Sequence, residues 1–213
     1  MSEDTDERAT AVLVFARAPV AGQAKTRLIP LLGEQGAADL SAQLTRRALR
    51  VALDARIGPV ELWCAPDCDH PFLTDCTHEF DVMLHPQSAG DIGARMAHAF
   101  DHALARHGQA VLIGADAVSL QPADLQAAAG ALRSHDCAFA PAEDGGYLLV
   151  ALQTPQPALF EGVDWGGEQV WAQTQARIAA LGLDCHVLAT GYDLDRPDDY
   201  RRALRDGLLE ALA

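Results

Sequence analysis

A chain of 213 residues, 49% apolar and 22% charged, has the make-up of one folded domain with a substantial core. Its formal charge of −14 opposes non-specific binding to nucleic acid or to anionic lipid, so neither is an expected partner. No apolar run approaches the roughly 18 residues of a membrane-spanning helix and no basic leader precedes an apolar segment, so the expected setting is cytoplasmic.

The first ten residues, "MSEDTDERAT", are polar, acidic and aperiodic, and predict a mobile tail, with a single domain over 11–213. "AVLVF" (11–15) is a β-branched run with the features of a buried strand. A loop follows to Leu32. From Glu34 to about Arg56 the pattern becomes helical, with Ala37, Leu40, Leu44, Ala48 and Val51 recurring at three- and four-residue steps. "PVELWC" (59–64) and "DVMLH" (81–85) predict two further strands. A helix over "GDIGARMAHAFDHALARH" comes next, with Ile92, Met96, Phe100 and Ala103 on one face.

"AVLIG" (110–114) predicts a fourth strand, and "PADLQAAAGALRSH" (122–135) a helix with proline in its first turn. "CAFAP" and "YLLVAL", separated by "AEDGG", predict a hairpin. A helix over "GGEQVWAQTQARIAALG", a last strand "CHVLA" and a closing helix "RPDDYRRALRDGLLEAL" complete the chain. Strands alternating with helices imply a layered α/β domain around a mainly parallel sheet, and the hairpin makes that sheet mixed.

Ligands of open α/β sheets sit beyond the carboxyl ends of the strands, and five unusual stretches fall there. The first, "RAPVAGQAKTRLIP", runs from Arg17 through Gly22 to Lys25 and Arg27. Lys25 is the only lysine in the chain; the other fifteen of its 16 Lys and Arg residues are arginine. A compact ammonium on a flexible stem suits a crowded set of phosphate oxygens better than a planar guanidinium does. The glycine spacing of a Walker P-loop is absent.

The second stretch is "QSAGDIGARM", where Gly90 and Gly93 open a helix, either as a nucleotide-binding turn or as an ordinary turn capped by Asp91. The third is "LIGADAVSL", whose Asp116 stands where a carboxylate can hold Mg²⁺ bridged to phosphates. In the fourth, "APAEDGGYLL", Glu143, Asp144, Gly145 and Gly146 form either a substrate contact or a plain hairpin turn. In the fifth, "GYDLDRPDDY", Asp193 and Asp195 alternate and face one side of an extended segment, so that one of them can join Asp116 around a metal.

Two other features have ordinary explanations. Cys64, Cys68, His70, Cys76 and His78 match no tight zinc spacing, and the odd total of five cysteines argues for reduced thiols. Trp165 and Trp171 flank "GGEQ" and either cover a ligand or pack into the core.

Taken in order, "ARAPVAGQAKTRL", "QSAGDIGARM", "VLIGAD", "PAEDGGY" and "YDLDRPDD" resemble the rSAM/selenodomain-associated transferase type-one family of the nucleotide-diphospho-sugar transferase superfamily. The sequence is also similar to 2-phospholactate guanylyltransferase and, more distantly, to molybdenum-cofactor nucleotidyltransferases. The resemblance implies a GT-A-like, Rossmann-type three-layer sandwich. It also implies a Mg²⁺-dependent transfer, Mn²⁺ being an alternative, from a nucleotide donor to a small-molecule acceptor. By that resemblance Lys25 and Arg27 are the basic pair at the phosphates, with Arg17 and Gly22 in the same loop. Asp116 is a metal ligand, Asp193 or Asp195 the second, and Gly90 and Gly93 lie near base and ribose.

The sequence departs from the family pattern at Ala115, Ala117 and Val118, where a hydroxyl and a proline usually flank the aspartate, and at Arg196, where threonine is usual. Nucleotidyl transfer from a triphosphate is the favoured activity, because two basic residues suit a highly charged donor. Glycosyl transfer from a nucleotide sugar is the rival, and a non-catalytic nucleotide-binding remnant a third reading.

Overall fold

A computed structural model describes residues 9–211. Seven strands form one sheet: β1 (Thr10–Arg17), β2 (Val60–Ala65), β3 (Met83–Pro86), β4 (Gln109–Gly114), β5 (Cys137–Pro141), β6 (Tyr147–Leu152) and β7 (Cys185–Val187). Their order is β3-β2-β1-β4-β6-β5-β7. β1 pairs in parallel with β2 and β4, β2 with β3, and β5 with β7; β6 runs antiparallel to both β4 and β5. The expected mixed, mainly parallel α/β sheet is therefore present, with the hairpin inserted as β5 and β6.

Alternation along the strands builds the two faces. Val12 and Val14 of β1, Leu62 of β2, and Val111 and Ile113 of β4 pack on one side. There they meet the helices α1 (Ile29–Ala55), α2 (Pro71–Phe80) and α4 (Pro122–Ala131) through residues such as Leu49, Leu73 and Leu125. Leu13, Phe15, Trp63, Leu112, Phe139 and Val150 pack on the other side. Their partners are Met96 and Phe100 of α3 (Ile92–Leu104) and Ile178 of α5 (Val170–Leu181). A third cluster joins Leu28, Leu40, Leu44, Val118, Tyr192 and Leu194 to Tyr200 and Ala203 of α6 (Pro197–Arg205). Helices on one face, the sheet, and helices on the other face make the three layers, held by the first two clusters. No described helix is long and apolar enough to cross a membrane.

Differences from the sequence-based elements have local causes. The expected tail over 1–10 lies mostly outside the described residues, but Thr10 already belongs to β1, its N–H donating to Ile57 O at 3.1 Å. The first helix starts at Ile29 instead of Glu34, and the expected start marks a kink: Gly33 has φ 72° and ψ 171° inside it. α2 is a helix for which the sequence shows no helical pattern. Only Leu73 and Cys76 of α2 are buried, so two inward positions leave no periodic signal. It is set instead by Pro71 in the first turn and by His70 Nδ1, which accepts from Phe72 N at 3.3 Å.

Val118, one of the departures after Asp116, is 1% exposed and fills the third cluster, so this loop is held by packing in place of a rigid proline. Leu194 has the same role on the facing segment and is 0% exposed. Leu194→Ala is expected to cost about 2–5 kcal/mol. A urea midpoint lowered without a change in slope is the reading that checks it.

Candidate active site

The loop after β1 tightens into a turn at Ala24, whose N–H donates to Val20 O at 2.9 Å. Lys25 follows in the left-handed region, φ 44° and ψ 47°, and redirects the chain into the helical turn Thr26–Leu28. Its stem is covered, the side chain being 11% exposed. Nζ emerges between two carboxylates, 3.0 Å from Asp116 Oδ2 and 2.9 Å from Asp195 Oδ1. Arg27 Nη1 donates to the other oxygen of Asp195 at 2.8 Å. A tetrahedral ammonium directs separate N–H bonds to two acids on different segments, whereas a planar fork is built to grip one. The retained lysine is explained by that geometry.

Each acid is fixed by its backbone. Asp116 follows β4 directly, and its carbonyl accepts from Leu194 N at 2.9 Å, which ties the β4 loop to the segment before α6. Gly114 makes room for the carboxylate: a Cβ there would lie 2.7 Å from Asp116 Oδ1. Asp193 and Asp195 project from one side of an extended stretch while Leu194 between them is buried. Asp199 Oδ2 then accepts from both Asp195 N (3.1 Å) and Arg196 N (2.7 Å), supplying the helix cap that Arg196 does not. Ligand oxygens of Asp116, Asp193 and Asp195 all come within 4.8 Å of one another. Both late aspartates therefore reach Asp116, where the sequence left the choice open.

The charges respond to this crowding. Burial alone would weaken Lys25 as a base, but the Asp116 and Asp195 charges outweigh it and hold its pKa above the ordinary value. Burial alone would raise Asp116, and the Lys25 ammonium overcomes it, leaving that carboxyl below the usual range. For Asp193 the Lys25 charge is too weak to do the same. Burial first, then the Asp116, Asp144 and Asp195 charges, push it up to about 7.

This cluster opens on a cavity of about 730 Å³ at the carboxyl ends of β1 and β4. Arg17, Lys25, Arg27 and Arg95 bring positive charge to its lining; Gln87, Tyr147 and Trp165 line it elsewhere. Among the described residues no carboxylate pairs with Arg17 or Arg95. A smaller recess of about 90 Å³ adjoins, lined by Asp116, Asp144 and Asp193. Asp116 belongs to both spaces, Asp195 to the large one and Asp193 to the small one.

The remaining candidate residues divide. Asp144 and Gly146 line the cavity, and Asp144 Oδ1 accepts from Gly146 N at 2.9 Å. Glu143 and Gly145 do not line it. Glu143 is turned away, bound by both Arg202 nitrogens at 2.7 and 3.1 Å. Gly145, at φ 90°, lies so close to the Glu168 backbone that a Cβ would meet its carbonyl oxygen at 2.0 Å. Gly22 (φ 79°) shapes the first loop without lining the cavity.

Gly90 is exposed and Gly93 buried, and neither lines the cavity. Asp91 Oδ1 caps α3 by accepting from Ala94 N at 2.8 Å, and Gly90 O accepts from Arg95 Nε at 3.0 Å. A Cβ on Gly93 would meet the Trp165 ring at 2.6 Å. That glycine lets Trp165 close down as a cavity wall, whereas Trp171 packs against Phe139 in the core. Sequence reasoning missed Arg95 and Gln87. Gln87 Nε2 donates to Trp63 O at 2.9 Å and so reaches across the strand ends. Both lie inside "QSAGDIGARM", where a single glutamine and a single arginine form no pattern that marks them as cavity residues.

A family described as "Uncharacterized protein conserved in bacteria (DUF2064)" matches residues 48–167. No curated protein sequence matches the chain significantly. Among solved structures, a Desulfovibrio desulfuricans protein provisionally named a nucleotide-diphospho-sugar transferase is 28% identical, with 88% of this chain and 82% of that chain covered and a TM-score of 0.80. CMP:2-keto-3-deoxy-manno-octonic acid synthetase, solved with CTP, is 12% identical, covering 94% of this chain and 100% of that chain with a TM-score of 0.61. Rv0371c of Mycobacterium tuberculosis, solved with manganese, is 18% identical, covering 92% and 99% with a TM-score of 0.53. The latter two are likenesses of fold.

The raised carboxyl of Asp193 makes a signed prediction. Unfolded, the group ionises near 3.8; folded, it holds its proton up to about 7. The fold therefore loses stability as pH rises between those values, and carries the full penalty above the upper one. Without divalent cations, Asp193→Asn is expected to melt higher than the parent at about pH 8 and to show no gain below about pH 4. Thermal melts across that range check it, and a gain independent of pH contradicts the account.

Proposed function

The chain belongs to the DUF2064 family, and from its charge geometry we propose that it is a divalent-metal-dependent transferase acting on a nucleotide donor. One observation supports this reading above the others: three carboxylates lie within 4.8 Å of one another beside the Lys25 ammonium, where a cavity also lined by Arg17, Arg27 and Arg95 meets the smaller recess. Three hard oxygen donors suit Mg²⁺ or Mn²⁺, and with Asp193 ionised their charge exceeds what Lys25 and Arg27 balance. A bound divalent ion would supply charge neutralisation at the donor phosphates. Asp116, Asp193 and Asp195 are the residues assigned to hold it.

The basic residues then have distinct parts. Arg17 and Arg95 bind and orient the donor phosphates, being free of carboxylate partners among the described residues. Lys25 is the counter-ion of Asp116 and Asp195 before loading, and its flexible stem lets the ammonium turn to the phosphates when those acids are otherwise satisfied. Trp165 and Gln87 add an aromatic wall and an amide to the same cavity. An acceptor oxygen held opposite the leaving group attacks the α-phosphorus, and pyrophosphate leaves. Positioning and charge stabilisation carry such a reaction, with no protein nucleophile.

Nucleotidyl transfer from a triphosphate is favoured over glycosyl transfer because four cationic side chains line the cavity. The likeness to a provisionally named nucleotide-diphospho-sugar transferase supports the rival, in which attack falls on the anomeric carbon and a nucleoside diphosphate leaves. A melting screen over nucleoside triphosphates and nucleotide sugars, with and without Mg²⁺, followed by product analysis, separates the two. Donor at about 100 times its Kd is expected to stabilise the protein by about 2.7 kcal/mol. A remnant without catalysis would bind donor and release neither pyrophosphate nor diphosphate. Lys25→Ala is expected to keep donor binding and to lose about a hundredfold or more in turnover. Unchanged turnover in Lys25→Ala removes the proposed role.

A further inference from the structure

Glu61 is the charged residue of "VELWCA", a strand buried throughout, and its side chain is 0% exposed. A carboxylate taken fully out of water must be held by other groups. Trp63 Nε1 donates to Oε2 at 3.1 Å, and the Arg106 guanidinium binds Oε1. Two histidines also face it without bonding. His85 Nε2 lies 3.6 Å from Oε2 and His107 Nε2 lies 3.8 Å from Oε1. Both ring nitrogens are buried and have no hydrogen-bond partner among the described residues. His102, on α3, completes the group: one ligand atom each from Glu61, His85 and His102 lie within 4.8 Å of one another.

Buried ring nitrogens left unsatisfied call for a missing partner. At 3.6 Å the His85–Glu61 approach is too long for a good hydrogen bond. It is close to the spacing of about 3.4 Å between two ligands of one tetrahedral zinc ion with bonds near 2.0–2.1 Å. Neutral imidazole with one carboxylate is a donor set for a borderline-soft transition metal, and a poor one for Mg²⁺, which prefers oxygen throughout. Carboxylate held by Arg106 and Trp63 is already oriented, as the ligands of such sites usually are.

We infer that Glu61, His85 and His102 form a second metal site, selective for zinc-like divalent transition ions, with His107 beside it. Its Glu61 is the second residue of β2, toward that strand's amino end, whereas Asp116 and the cavity sit past the carboxyl ends of β1 and β4. β3, which carries His85, is an edge strand, and His85 and His102 are only partly buried, so an ion has a way in. Arg106 Nη2 lies 3.2 Å from His102 Nδ1, a contact that a metal bond to that nitrogen would replace. Trp63 stacks on His85 at 4.8 Å between ring centroids and meets His102 edge-on at 5.5 Å, so its fluorescence reports occupancy.

Zn²⁺ titration of the full chain by calorimetry, in excess Mg²⁺ and with reductant, tests the site. One saturable Zn²⁺ event per chain is expected, retained in Asp193→Asn and lost in the His85→Asn/His102→Asn double variant. Should the double variant fail to fold, His85→Asn alone is expected to weaken binding at least about tenfold. Ni²⁺ is expected to quench the wild-type emission and to quench a Trp63→Phe variant much less. Co²⁺ at the site is expected to give the intense visible absorption of tetrahedral coordination. Zinc uptake unchanged by the histidine substitutions would place the ion on the thiols or on the acidic cluster and overturn the inference. Absence of any saturable uptake would overturn it as well. Loss of donor turnover with this zinc event intact would count against the proposed transferase alone.

Discussion

One ammonium between two carboxylates organises the carboxyl end of this sheet. Lys25 reaches Asp116 and Asp195 at hydrogen-bond distance, and those three residues come from the loops after β1, after β4 and before α6. Segments far apart in the chain thus meet at one charge. The protein carries a net −14, so an acidic pair near a cavity floor would repel itself without a local counter-ion. Lysine suits the place because its charge is compact and its stem can cross an apolar wall.

That balance is incomplete, and the incompleteness is where chemistry becomes possible. Asp193 is close to Asp116 and Asp195 but gains nothing from Lys25 sufficient to offset its burial, so its proton is retained to about 7. A site that is short of positive charge in the resting protein favours a cation that enters from outside. Arg17 and Arg95, which have no acid partner among the described residues, have the matching excess for an anion. Cation and anion requirements in adjacent positions are the physical content of the transferase reading.

The two clusters of candidate metal ligands divide by hardness and by position in the strands. Oxygen donors gather past the carboxyl ends of the strands, where loops bring acids together over a cavity. Imidazoles and a single carboxylate gather near the amino end of β2, under α3 and against the sheet edge. Trp63 and Phe15 lie between them on the same face, their rings 6.3 Å apart, and Phe15 lines the cavity.

Much of the architecture was legible because the strands are short, β-branched and separated by periodic helices, and because β5 and β6 keep the limits 137–141 and 147–152 read from the chain. The alternation of Asp193 and Asp195 about an apolar Leu194 already placed both acids on one side. α2 escaped because only two of its residues face inward, which is too few for a period to register. Glu61 escaped because a lone acid in an apolar strand does not name its partners; those come from β3 and from the end of α3. Glu143 and Gly145 drew attention as turn residues beside a cleft, yet one is taken by Arg202 and the other by a close backbone contact. The sequence by itself determined the layered sheet and the identity of the isolated lysine and acids, since both depend on local pattern. Tertiary structure alone decided which charges meet, because a hydrogen bond or a shared ion depends on distances across the sheet that no spacing along the chain encodes.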